Sequence, residues 1–219
     1  MTYVVTTDYQ LDRVAAPNLP LAPDGYKSQY QEQLNNVLRL YFNRLEGYLG
    51  KLVASSDTSG LRVPYGAFSS SVSQSTTANT ATLMTLNTTD FSNGVSISSS
   101  KITVTTAGIY NLQFSTQFQN TDNAQQDISI WLKQNGTDIA GSTGLISIPA
   151  RKSAGAGNEG HGIFGWNYFL SMTAGQYIQI YWSTTNAAVT IEAYAASTGP
   201  VRPSTQSVVA TMSFVSALP

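Results

Sequence analysis

The chain has 219 residues, of which 42% are hydrophobic, 11% aromatic and only 11% charged, with a formal net charge of -1. Serine and threonine make up about a quarter of it, so its polarity rests on hydroxyls and amides. A nucleic-acid interface needs a basic face, and this composition supplies none; an acidic disordered chain is excluded by the low charge and the aromatic content. There is no cysteine and one histidine, His161, which removes thiolate metal sites, thiol nucleophiles and histidine cages. The first residues lack the basic stretch and apolar run of a secretory signal. No apolar run is long enough for a membrane helix, so neither nucleic acid nor membrane is expected as a partner.

Residues 1–27 form an irregular arm holding Pro17, Pro20 and Pro23. Proline lacks the amide donor of a helix and favours an extended path. Leu19 and Leu21 between these prolines would be exposed on a free arm, so the arm reads as an anchor laid on another protein.

Residues 28–53 read as a helix. Ser28 followed by Gln31 fits a capping box. Leu34, Leu38, Tyr41, Leu45, Tyr48 and Leu52 recur at steps of four and three, a heptad seam. Two readings fit it: a self-associating coiled coil, or an amphipathic helix packed on its own domain, with Val37, Leu40, Phe42 and Leu49 widening the stripe. A helix this short is marginal alone in water, so both demand a partner surface. Residues 54–62 read as a linker.

From residue 63 the period changes to two. Tyr110, Leu112, Phe114 and Phe118 alternate with Asn111, Gln113, Ser115, Gln117 and Gln119, a strand with one apolar face. Ile128, Ile130 and Leu132 form the next, with Trp131 on the opposite face. Phe164, Trp166, Tyr168 and Leu170 follow, then Ile178, Ile180 and Trp182, then Val189, Ile191, Ala193 and Ala195, then Val208, Ala210, Met212 and Phe214. Weaker strands are expected over 66–74, 82–87, 94–98 and 101–106. Turn pairs such as Asn93-Gly94 and Asn135-Gly136 tolerate the positive φ of tight turns. Nine or ten short strands so spaced predict a mainly β fold, an antiparallel jelly-roll β-sandwich over 63–219 preceded by one α-helix and an extended arm.

The stretch Ile102 to Tyr110, running into Asn111 to Ser115, resembles the strand-turn-strand pattern of the trimeric jelly roll shared by tumour-necrosis-factor-like cytokines and complement globular heads. There a Gly-x-Tyr opens a long central strand. The stretches Ile128 to Ile139, Trp166 to Leu170 with Thr173 to Tyr177, and Val201 to Ser204 are closer still to structural proteins of marine cyanobacterial phages. The helix Gln33 to Leu45 resembles a segment near the start of phage virion proteins. The resemblance implies a homotrimer, located in the virion as a fibre or decoration protein of capsid or tail. The arm would then grip another virion protein, the helix would join the three copies, and the jelly roll would be the displayed head.

The chemistry of catalysis is thinly supplied. A serine-histidine-acid site needs an imidazole oriented by a buried acid, and His161 reads as an exposed loop residue in Gly-Asn-Glu-Gly-His-Gly. A glycosidase needs two flanking carboxylates, and no two acids of the β region are adjacent. The stretch Asp122 to Asp127 lacks the acid density of a calcium loop. No phosphate-cradling motif is present. The expectation is a protein that is not an enzyme and takes no cofactor or metal. Candidate ligand-facing residues are Trp131 and Tyr181, whose rings could stack on sugars of a host-surface glycan, and Arg151 and His161 in a glycine-rich loop over 151–161. The alternatives are a core or interface role for the aromatics, including Trp166, Tyr168 and Trp182, and a plain connector for the loop.

Overall fold

The computed structural model describes residues 17–21, 23–53 and 63–218, with the backbone alone at 50–53. The first sixteen residues of the arm, the linker at 54–62 and the Leu52 side chain lie outside the described residues. The chain divides into two compact units, Met1–Arg62 and Val63–Pro219.

In the first unit α1 spans Ser28–Val53. The capping box does not form: the Gln31 amide donates to the Lys27 carbonyl at 3.2 Å, so Lys27 occupies the cap position. The Gln31 side chain reaches forward instead, donating to Asn35 Oδ1 at 3.2 Å. A Ser28 already inside the helix is one residue too late to accept from Gln31 as a cap. Leu34, Leu38, Tyr41, Leu45 and Tyr48 are half-buried, whereas Leu40, Phe42 and Leu49 are exposed.

The second unit is built from fifteen strands: β1 Tyr65–Ser70, β2 Thr82–Leu83, β3 Thr88–Asn93, β4 Val95–Ser98, β5 Lys101–Val104, β6 Gly108–Asn120, β7 Gln126–Gln134, β8 Thr137–Asp138, β9 Gly144–Ile148, β10 Gly160–Met172, β11 Tyr177–Thr184, β12 Val189–Ile191, β13 Ser197–Thr198, β14 Val201–Arg202 and β15 Val208–Ser216. One sheet runs β10-β6-β15-β1-β3, with β12 continuing the β15 side of β6; the other runs β4-β5-β11-β7-β8, with β2 on β11 and β9 on β7. The chain passes from β5 in the second sheet to β6 in the first, back to β7 and β9, across to β10, back to β11 and finally to β15. The first and last long strands, β1 and β15, are neighbours, and all named strand pairs are antiparallel. This is a jelly-roll sandwich.

Alternation decides what lies between the sheets. On β6 the buried set is Tyr110, Leu112, Phe114, Thr116, Phe118 and Asn120. Facing them from the second sheet are Ile128, Ile130 and Leu132 of β7 and Ile178, Ile180 and Trp182 of β11, all essentially without solvent exposure. Each such side chain contributes about 1.5–3 kcal/mol by leaving water. The Gly-x-Tyr pattern has a local cause. A Cβ at Gly108 would fall 2.2 Å from the Phe214 ring, which packs edge-on against Tyr110 at 5.5 Å. The buried Tyr110 hydroxyl donates to the Thr106 carbonyl at 2.8 Å.

Several strands differ from the sequence expectation. β12 ends at Ile191, and over the rest of the expected strand, 192–195, the one bridge is Tyr194 to Thr205. The expected strand over 66–74 stops at Ser70, and that over 82–87 shrinks to Thr82–Leu83. Between them Gln74 takes over the pairing: its side chain donates to the Thr85 carbonyl at 3.0 Å and accepts from the Thr85 amide at 2.7 Å. β3 and β9 are additional strands. His161 is not in a loop: it is the second residue of β10, opposite Gln119.

Candidate functional site

The outward faces of the two sheets differ in chemistry. On the first sheet β6 presents Asn111, Gln113, Ser115, Gln117 and Gln119, and β10 presents His161, Ile163, Gly165, Asn167 and Phe169. Gly165, Ser115 and Val209 form one row across the three central strands. Because their side chains are small, the face dips there into a shallow depression of about 480 Å³ bounded by Gln113, Asn167 and Thr211. No Asp, Glu, Lys or Arg stands on this face along β10, β6 and β15. Ile163, Phe169 and Val209 are exposed on it, and Tyr65 and Phe91 continue the apolar surface at the far edge with their rings 6.1 Å apart. β10 is an edge strand of 13 residues without proline or lysine.

At one end of this face sits His161. Its Nδ1 lies 3.4 Å from the Tyr194 hydroxyl, which donates to Gln119 Oε1 at 2.8 Å. The Arg202 guanidinium stacks over the Tyr194 ring at 5.1 Å and donates to the Ala195 carbonyl at 3.0 Å. Burial, with the neighbouring Glu192 carboxylate, pushes the Tyr194 phenol above its ordinary pKa. Arg151 is not part of this hydrogen-bonded group: its Nε donates to Asn123 Oδ1 at 2.7 Å, holding one loop end to the β6–β7 turn. The two residues expected from the 151–161 stretch thus serve different neighbours. Tyr194, Gln119 and Arg202 were not expected, because the cluster joins positions 75 residues apart.

The second sheet carries an aromatic platform. Trp131 of β7 and Tyr181 of β11 are directly opposite in register, with ring centroids 5.9 Å apart and planes tilted by 32°. Both point away from the core and are half-buried. Asp138 accepts from the Trp131 indole nitrogen at 2.7 Å and pairs with Lys133 at 3.4 Å. The Lys133 ammonium sits 4.6 Å from the Tyr181 ring centre. Leu83 continues the row beyond Tyr181, and the exposed Leu145 stands on the neighbouring row opposite Ser129. By contrast Trp166, Tyr168 and Trp182 belong to the core side of the sandwich.

Of the arm's anchor residues, Pro17, Pro20 and Pro23 are half-buried, Leu19 is exposed, and Leu21 at 94% is the most exposed large apolar side chain among the described residues. Among those residues no three His, Asp or Glu side chains gather as metal ligands, and no helix is long and apolar enough to cross a membrane. No protein-family model matches the chain, and no curated protein matches it in sequence.

Proposed function

We propose that the protein is a non-enzymatic structural component of a phage virion. It is a homotrimeric fibre or decoration protein held to capsid or tail by its N-terminal arm and displaying a jelly-roll head. The phage assignment rests on the sequence resemblance. The observation that carries self-association is the uncharged outward face of β10, β6 and β15, with Ile163, Phe169 and Val209 open to solvent. Monomers manage a long edge strand with charge, proline or cover, and exposed large apolar side chains on a face without charge mark an interaction site. β10 has none of the first two, so its cover comes from other copies around a three-fold axis. The seam of α1 supplies a second contact between copies. Ser115, at the centre of the face, is the place to test this. Ser115→Lys buries an unpaired ammonium in the interface, and sedimentation of the folded variant then shows monomers where the parent shows trimers. An unchanged trimer would remove this face from the interface.

A second reading is favoured by the Trp131–Tyr181 pair: the head is also an adhesin for host-surface polysaccharide. Fixed, half-buried rings present an apolar surface with polar groups at the rim, which suits a sugar.

A further inference from the structure

We infer that the platform takes an uncharged pyranose chain, with one sugar ring across Trp131 and Tyr181 and the next beyond Leu83 in a hydroxyl-lined cleft. The inference rests on the adhesin reading and adds the class of glycan.

The first ground is preorganisation. The Trp131 ring is fixed through its indole nitrogen by Asp138, and the Tyr181 ring lies under Lys133. A ligand therefore meets rings whose ordering has already occurred, which reduces the entropic cost of binding. The 32° tilt, at 5.9 Å between centroids, sets the two rings as an offset pair rather than edge to face. The axial C–H face of a pyranose stacks on the exposed part of such a pair.

The second ground is charge. Lys133 and Asp138 neutralise each other at the rim. A carboxylated or sulfated sugar gains no net attraction here and approaches the Asp138 side chain, which is 63% exposed. The same pair offers donors on the ammonium and an acceptor on Asp138 Oδ2 to neutral sugar hydroxyls.

The third ground is the continuation past Leu83. This residue pairs with Tyr181 and also lines a cleft of about 280 Å³ formed with Ser73, Ser75, Thr85 and Asn87. The cleft has no charged lining residue. It falls just below the ligand-pocket range of about 300–1,000 Å³, which suits a single monosaccharide unit.

The test is binding of the full-length protein to an array of neutral oligosaccharides (glucans, mannans, galactans) and acidic ones (alginate, hyaluronan, sulfated galactans). The parent is compared with Trp131→Ala, Tyr181→Ala and Asp138→Asn, each checked for the parent's far-ultraviolet circular dichroism. The expected result is binding to neutral chains alone, weakened at least tenfold by either ring truncation. Asp138→Asn keeps an acceptor for Trp131 but leaves Lys133 unbalanced, so it extends binding to acidic chains. Acidic chains bound by the parent would overturn the ligand class while leaving the adhesin reading in place. Neutral binding that survives both truncations would overturn the site. No binding to any glycan would overturn the adhesin reading itself.

Discussion

Gly160 passes so close to Pro149 that a Cβ at position 160 would lie 1.9 Å from the Pro149 carbonyl oxygen and 3.0 Å from that of Ala150. The obstacle is backbone on both counts, so no side chain can swing aside. Gly160→Ala therefore forces the two ends of the β9–β10 connection apart. Overpacking of this kind costs about 1–3 kcal/mol, and denaturant unfolding should show a lowered midpoint with an unchanged slope.

Asn120 stands opposite Gly160 and is fully buried. Its amide nitrogen donates to the carbonyls of Ala124 at 2.9 Å and Pro149 at 3.1 Å, and its oxygen accepts from the Asp122 amide at 2.9 Å. Asn120→Ala leaves these part-buried groups without their partner. Each unsatisfied buried group costs about 1–3 kcal/mol, so the variant should lose at least as much stability as Gly160→Ala. Faster amide exchange at 121–125 and 150–151 would mark the loss as local to this end of the sandwich.

Deletion of residues 1–27 removes Leu19 and Leu21, both of which are exposed. The truncated protein is expected to keep the parent's mass in solution and its melting temperature but to be absent from purified particles. Normal incorporation of the truncated protein would refute the anchor.

Glu159 gives a pH-dependent readout. Its own backbone amide and that of Gly157, at 3.0 Å, hold the carboxyl below its usual range. A depressed carboxylate favours the folded loop above the ordinary carboxyl pKa, and this is lost as pH falls through the folded value. The Glu159 carboxyl resonance should titrate below that of a free glutamate. The Gly157 amide shift should follow it, and Glu159→Gln should abolish both titrations without changing the global melting temperature.

The strands with one buried face were legible in the sequence because burial imposes a period of two on β6, β7, β11 and β15. β3 was not, since all but its last residue are exposed and nothing forces alternation. β9 was hidden because the exposed Leu145 stands next to Ile146 and breaks the pattern. On β10 both faces carry apolar residues: Phe164 and Trp166 turn inward while Ile163 and Phe169 turn out. Its period shows which residues share a face but not which face is covered. His161 escaped the strand because glycines flank it, and those glycines answer crowding by Pro149 and Phe164 that only the fold reveals. The platform was half visible. Trp131 reads as out of phase with Ile130 and Leu132, but its register against Tyr181 and the tie to Asp138 are tertiary.

Self-association through the first sheet is the central claim, and solution mass tests it most directly. Light scattering should be recorded on the full chain and on residues 63–219, which carry the whole sandwich core. Three protomer masses are predicted for both, placing the interface on the jelly roll with the helix in support. A monomeric 63–219 fragment beside a trimeric full chain would move the interface to the seam of α1. A monomeric full chain would contradict the account.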